Sequence, residues 1–299
     1  MARAADADVM VLDSIAAAYI APWLIRPRRR PPLTAILHQP PGGIDHGRFR
    51  KVLQSGLDRL AYRRVDHLIV ASQTLVHDLT NAGIDADSIT VIAPGRDVAA
   101  NEESPGFDLR LGRRAALLCV GNWIERKGIL TLLEALRRLP EELATLHLVG
   151  DPGADPRYGR RVRATLSHLD LSERVVVHGP LSKERVAGMY TSADIFVLPS
   201  TSEPYGTVLG EAMAAGLPVV GVNAGNLPYL ANNEVEGLIV PVEDIDALAN
   251  ALERLCRDEG MRATMGKAAA GRALSFPTWE ASAKRFYGLL RRIAERSDA

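Results

Sequence analysis

Cysteine is nearly absent. Cys119 and Cys256 are the only two in 299 residues, one inside the apolar run 117–120 and one on a helical stretch. No disulfide framework is implied, and a reducing cytosol is the expected compartment. Net charge is absent as well: 36 Lys and Arg residues balance 36 Asp and Glu, which removes any global electrostatic argument for a nucleic-acid partner. Long hydrophobic runs are scarce. The one at 9–25 carries Asp6, Asp8 and Asp13 before or within it and is interrupted by Pro22. It therefore reads as a strand and a helix capped near Asp13 or Ser14, not as a signal or membrane segment. Internal repeats are missing too. No Gly-x-Gly-x-x-Gly or P-loop pattern follows a predicted strand, so neither a dinucleotide dehydrogenase nor a P-loop enzyme is supported.

Apolar residues make up 47% of the chain, enough for a sizeable core, and the length allows one large domain or two medium ones; two are expected. From residue 115 onward, apolar runs at 116–120, 146–149, 175–177, 195–198, 218–222 and 238–240 alternate with helical stretches at 129–139, 157–169, 183–192, 206–215 and 244–257. This alternation predicts βαβ units and a doubly wound parallel sheet. The first hundred residues read as a shorter α/β unit with strands near 9–12, 33–37, 68–70 and 89–92. A polar stretch at 99–108, with Pro105 and Gly106, is the expected linker. Helices at 261–274 and 279–296, separated by Pro277, close the chain.

The charge is uneven. Residues 26–64 hold nine Arg and one Lys against Asp45 and Asp58, an excess of eight positive charges that includes "RPRRRPP" at 26–32. The helix at 48–64 combines Phe49, Val52, Leu53, Leu57 and Leu60 with Arg48, Arg50, Lys51, Arg59, Arg63 and Arg64. A basic amphipathic helix of this kind can make a peripheral contact with an anionic membrane. A solvated helix with one face in the core is the commoner alternative.

The chemistry concentrates in "SEPYGTVLGEAMAAGLPVV" at 202–220. A helix beginning near Gly206 turns unpaired amides and a positive dipole end outward, a setting for phosphate. Glu203 and Glu211 flank that end, and a carboxylate accepts hydrogen bonds from the vicinal diol of a ribose or hexose. Phosphate plus sugar is the ligand chemistry implied. The plainer alternative is two solvated helix acids, but Leu209, Ala212, Met213 and Ala214 make this helix largely apolar, so a charge at Glu211 needs a partner. Lys127 precedes Gly128, where another helix begins, and a cation there is unfavourable unless an anion answers it. Arg126 is a second cation beside it. The Asp-x-Asp pairs Asp6/Asp8, Asp85/Asp87 and Asp244/Asp246 fall at the N-terminus, a turn and a helix start, and read as chance spacings, not metal sites.

With those residues in view, the chain resembles the retaining glycosyltransferases of family four, whose fold is the two-domain GT-B architecture. Glu203 and Glu211 stand as the Glu-x7-Glu signature. "LLCVGNWIERKGILTLLEAL" (117–136), "VIAPGRD" (91–97) and "VEGLIVP" (235–241) resemble other segments of that family in the same order, and the match spans roughly residues 9–297. The resemblance implies a partial acceptor-side Rossmann-like domain at 1–104, a nucleotide-sugar-binding one at 105–277, and a closing helix at 278–299 packing back toward the first. It implies that Glu211 grips ribose hydroxyls and Glu203 the transferred sugar. Lys127 and Arg126 would meet the diphosphate together with Gly121, Asn122 and the amides of Gly206, Thr207 and Val208, and His38, ending "LTAILH", would face the sugar. No cofactor and no metal are implied.

Three departures accompany the resemblance. Asn122 stands where the family usually has Arg, and Tyr229 where it usually has Glu. The chain also begins at what is a mid-domain strand in the family, so the N-terminal sheet is expected to lack strands and expose an edge. Two functions follow: transfer of a sugar from a nucleotide diphosphate donor to an acceptor hydroxyl on a sugar, lipid or small molecule, in glycan or glycolipid synthesis; or a non-catalytic nucleotide-sugar-binding subunit that needs a partner polypeptide to complete the N-terminal domain.

Overall fold

The computed structural model describes residues 7–24, 30–43, 48–96, 107–168 and 171–297. Asp6, the arginines at 26, 28 and 29, Asp45, Asp97 and most of the expected linker (99–106) lie outside them. The chain divides into two compact units: residues 1–95 with 277–299, and residues 96–276.

The first unit carries β1 (Met10–Asp13), α1 (Ser14–Leu24), β2 (Leu33–Leu37), α2 (Arg48–Tyr62), β3 (His67–Val70), α3 (Gln73–Asn81) and β4 (Ile89–Val91). Its strands are all parallel in the order β1-β2-β3-β4. β2 reads Leu-Thr-Ala-Ile-Leu and is almost wholly buried, as a strand covered on both faces must be. Pro22 does not interrupt the helix that follows β1: α1 continues through it to Leu24. On α2, Ala61 and Tyr62 are buried and Leu57 and Leu60 pack on the core, whereas Val52 and Leu53 are exposed. The side chains of Arg48, Phe49, Arg50 and Lys51 lie outside the described ones.

The second unit continues with β5 (Ala115–Val120), α4 (Ile129–Arg138), β6 (Ala144–Val149), α5 (Pro156–His168), β7 (Val175–Gly179), α6 (Lys183–Ser192), β8 (Ile195–Leu198), α7 (Thr207–Ala214), β9 (Val219–Val222), α8 (Leu227–Leu230), β10 (Gly237–Val240), α9 (Ile245–Arg257) and α10 (Glu259–Ala273). Its six strands are parallel in the order β10-β9-β8-β5-β6-β7. The winding therefore reverses between β5 and β8, where Leu117 and Leu118 pair with Ile195 and Phe196. In such sheets the crevice beyond the carboxyl ends of the two strands at the reversal is the ligand position. Beneath it the core is dense: β5, β6 and β8 are buried along nearly their whole length, with Trp123, Tyr158 and Phe196 among the largest enclosed side chains.

The last helix, α11 (Trp279–Ser297), belongs to the first unit. Ser282 Oγ donates to the Ala93 carbonyl at 2.7 Å and Arg285 Nη2 to the Val91 carbonyl at 3.2 Å. Among the described residues, no helix is long and apolar enough to cross a membrane.

Candidate functional site

Two loops leave the sheet at the reversal point. After β5 the chain passes Gly121 and Asn122, buries Trp123 and makes a 3-10 turn at Glu125–Lys127. Asn122 Oδ1 accepts from the Asp151 amide at 3.0 Å and Trp123 N–H donates to the Asp151 carbonyl at 2.9 Å, which ties this loop to the one after β6. Gly128 ends the turn at φ 69°, and a Cβ there would stand 2.3 Å from the Pro199 carbonyl oxygen. Only glycine permits both. After β8, residues 199–206 form the opposite bank, and the Arg126 carbonyl accepts from Thr201 N–H at 2.8 Å and Ser200 Oγ at 3.0 Å.

Lys127 and Glu203 meet across this crevice. Lys127 Nζ donates to Glu203 Oε2 at 2.5 Å, with side chains only 10% and 14% exposed. The lysine stem runs over Gly121, where a Cβ would lie 3.3 Å from Cδ and Cε. Arg126 Nη1 donates to the Ser202 carbonyl at 2.9 Å and stands 3.6 Å from Glu203 Oε2. Two cations thus converge on one carboxylate, and the pairing compensates for burying charge at this depth. Cys119 lies beneath: burial pushes its thiol up to about 12 against the opposing pull of the Lys127 charge. It stays a neutral core thiol.

Glu211 is held differently. It lies in the second turn of α7, whose N-cap, Gly206, has φ 87° and no side-chain capping bond. Tyr190 on α6 donates its hydroxyl to Glu211 Oε2 at 3.1 Å. Burial first, then the Glu211 charge, hold the phenol well above its ordinary pKa. Thr207 is exposed and Val208 half-buried in the first turn, where the helix dipole is strongest.

A third loop, after β9, closes against the second. The Asn226 amide donates to the Glu203 carbonyl at 2.8 Å and its buried side chain to the Tyr205 carbonyl at 2.8 Å. A Cβ on Gly225 would stand 2.5 Å from the Glu203 nitrogen. Tyr229 lies 40% exposed on α8, with its carbonyl bonded to Arg272.

The sequence-predicted residues Gly121, Asn122, Arg126, Lys127, Glu203, Gly206, Thr207, Val208 and Glu211 therefore all lie on β5–α4 and β8–α7 of one unit. His38 belongs to the other: it follows β2, exposed, with Nε2 3.3 Å from Asp13 Oδ2. Among the described residues no three His, Cys, Asp or Glu side chains gather as a metal site. Asp85 caps a 3-10 turn and Asp244 caps α9. Sequence reasoning missed Tyr190, Asn226 and Gly225. Tyr190 left no local signal, since its helix begins Lys-Glu-Arg and its partner lies 21 residues further along the chain.

Residues 102–272, more than half of the chain, match the family model described as glycosyl transferases group 1. The chain belongs to that family. Residues 1–100 match the model for glycosyltransferase family 4. Among curated relatives, the D-inositol 3-phosphate glycosyltransferase of Xylanimonas cellulosilytica is 32% identical over 230 residues, which cover 73% of this chain and 55% of the relative. The chain thus spans little more than half the length of that relative. Among solved structures, the sucrose-phosphate synthase of Thermosynechococcus elongatus superposes with a TM-score of 0.82 at 26% identity, over 96% of this chain and 73% of that one. Anabaena HepE, solved in complex with UDP-glucose, superposes with a TM-score of 0.80 at 24% identity, over 97% and 78%. The two parallel sheets of this member of the group 1 family are those of the GT-B fold.

Proposed function

We propose that the chain binds the diphosphate of a nucleotide sugar at the reversal point of the six-stranded sheet and moves the sugar to an acceptor hydroxyl with retention. The observation that carries this reading is the Lys127–Glu203 contact across the β5/β8 crevice, beside the uncapped start of α7. Cations and helix amides answer a diphosphate, and two carboxylates answer the hydroxyls of sugar and ribose. Family membership supports the same chemistry, and so does the UDP-glucose bound by a protein of this fold.

In the reaction, the bond between the anomeric carbon and the phosphate oxygen breaks and its electrons stay with the diphosphate. Lys127, Arg126 and the amides of Gly206, Thr207 and Val208 meet that charge with dipoles already in place. The acceptor oxygen bonds to the anomeric carbon on the face the phosphate leaves, and its proton passes to the departing phosphate. No protein nucleophile is invoked. Because Glu203 pairs with Lys127, an incoming diphosphate competes with a carboxylate for the same ammonium. Release of Glu203 toward the sugar hydroxyls is the other half of that exchange. Residues 105–277 are the donor side in this reading and 1–104 the acceptor side. His38 is assigned to the transferred sugar, and α2 to a peripheral membrane contact, on sequence grounds.

Calorimetric titration of the chain with UDP, GDP and ADP tests the reading. One nucleotide is expected to bind, and Glu211→Ala to weaken it at least about tenfold, the cost of removing a charged acceptor from a buried hydrogen-bond pair. A folded chain that binds none of the three overturns it.

A further inference from the structure

Tyr190 has no part in the chemistry above, yet it holds one of the two carboxylates. Its ring is 5% exposed and packs against Phe196 of β8 with centroids 5.8 Å apart. Its hydroxyl lies 3.1 Å from Glu211 Oε2 and 3.4 Å from the Val208 carbonyl. A phenol has one hydrogen to give. The nearer and charged acceptor takes it, because hydrogen bonds to ionised groups are shorter and stronger than neutral ones. The hydroxyl remains a donor at any working pH, since burial and the adjacent carboxylate both oppose its ionisation.

A glutamate side chain has three rotatable bonds, and without an anchor its carboxylate samples several orientations. Glu211 lies on a helix whose neighbouring residues Leu209, Gly210, Ala212 and Met213 are all buried. That packing fixes its backbone. One bond from Tyr190 to Oε2 sets the plane of the carboxylate and leaves lone-pair capacity for a diol, since a carboxylate offers about four acceptor positions. Orientation of this kind strengthens binding by removing the ordering cost from the binding step.

We propose that Tyr190 is a positioning residue for the donor: its hydroxyl fixes Glu211 Oε2 so that the carboxylate meets the 2′- and 3′-hydroxyls of the nucleotide ribose. The proposal rests on the reading of Glu211 given above. It separates Tyr190 from a residue that only fills the core, because a core residue has no reason to care whether the nucleotide carries a diol.

The test uses Tyr190→Phe, which keeps the ring and removes only the hydroxyl, and titrates UDP and 2′,3′-dideoxy-UDP, with the GDP and ADP pairs in parallel. The wild type is expected to prefer the ribonucleotide. In Tyr190→Phe that preference falls about tenfold, through weaker binding of the ribonucleotide alone, with the thermal midpoint little changed. Equal weakening of both nucleotides, or of neither, overturns the proposal. A wild type that binds no nucleotide sinks the donor-site reading itself, and one that binds both forms equally sinks the ribose role of Glu211; both results are distinct from a failure at Tyr190. If the phenylalanine variant does not fold by circular dichroism, 3-fluorotyrosine at position 190, isosteric and a stronger donor, replaces it. A ribose preference unchanged by fluorination overturns the proposal, and a larger one supports it.

Discussion

The two sheets are built from the same strand–helix unit and differ in winding. The four-stranded sheet runs β1-β2-β3-β4 in one direction, whereas the six-stranded sheet reverses between β5 and β8. At the carboxyl edge of the first, the ionisable pair is His38 with Asp13, both about half exposed and 3.3 Å apart. At the reversal of the second, two cations and a carboxylate meet at less than a quarter exposure, and a second carboxylate is held by a buried phenol. Reversal splays two helix-bearing loops apart and leaves a crevice. A sheet that winds one way offers no such gap. Buried charge is therefore expected to do its chemistry in the second unit, and exposed charge in the first to matter less for donor affinity.

The sharpest test of that contrast is Lys127→Ala. Removing the ammonium takes the main cation from the diphosphate and leaves Glu203 to Arg126 alone at 3.6 Å. Transfer is expected to fall by about 10² to 10³, as when one preorganised charge-stabilising donor is lost. Affinity for UDP falls at least about tenfold while affinity for uridine is unchanged, and stability drops by about 2–3 kcal/mol from the carboxylate left behind. His38→Ala, in the other sheet, is expected to leave UDP affinity within twofold. Equal losses of UDP affinity in the two variants would break the comparison.

Glu203→Gln reverses the sign. The amide no longer competes for Lys127, so UDP is expected to bind about threefold tighter while sugar transfer is lost. Competition between an internal carboxylate and a ligand phosphate costs the ligand part of what the internal pair is worth, and a threefold change corresponds to about 0.7 kcal/mol. Weaker UDP binding in this variant would mean that Glu203 orients Lys127 for the ligand and does not compete with it.

Much of this fold is legible in the sequence because its strands are covered on both faces and therefore read as unbroken apolar runs. β2, β8 and α6 begin and end where those runs and caps place them. α3 escaped notice although Ser72 caps it by accepting from the Leu75 amide. α8 is a single turn after Asn226 and has no period at all. In the site, the residue types and the Glu203-to-Glu211 spacing were legible, being local. The bond between Lys127 and Glu203 was not, since 76 residues separate them and only the strand order brings them together. Tyr190 is hidden for the same reason.

A smaller effect distinguishes the two sheets in acid. His147 on β6 is buried, with Nε2 2.7 Å from the Leu109 carbonyl and Nδ1 2.9 Å from His178 Nε2. A carbonyl demands a donor, so Nε2 carries the proton and Nδ1 accepts from His178. Burial lowers the pKa of both rings, and for His178 the neighbouring His147 and Arg185 add to it. A lowered folded pKa means that the fold favours the neutral form. Stability from this pair is complete above about pH 6.5, the ordinary histidine value, and is lost as the pH falls below it toward the lowered folded value, because the unfolded chain takes up protons that the folded one does not. His147→Gln is expected to start less stable at pH 7.5 yet to lose about 2 °C less than the wild type between pH 7 and 5.5 by scanning calorimetry. An identical acid slope in the two proteins would place the acid sensitivity elsewhere, and a transition confined to the first unit would move it to the other sheet.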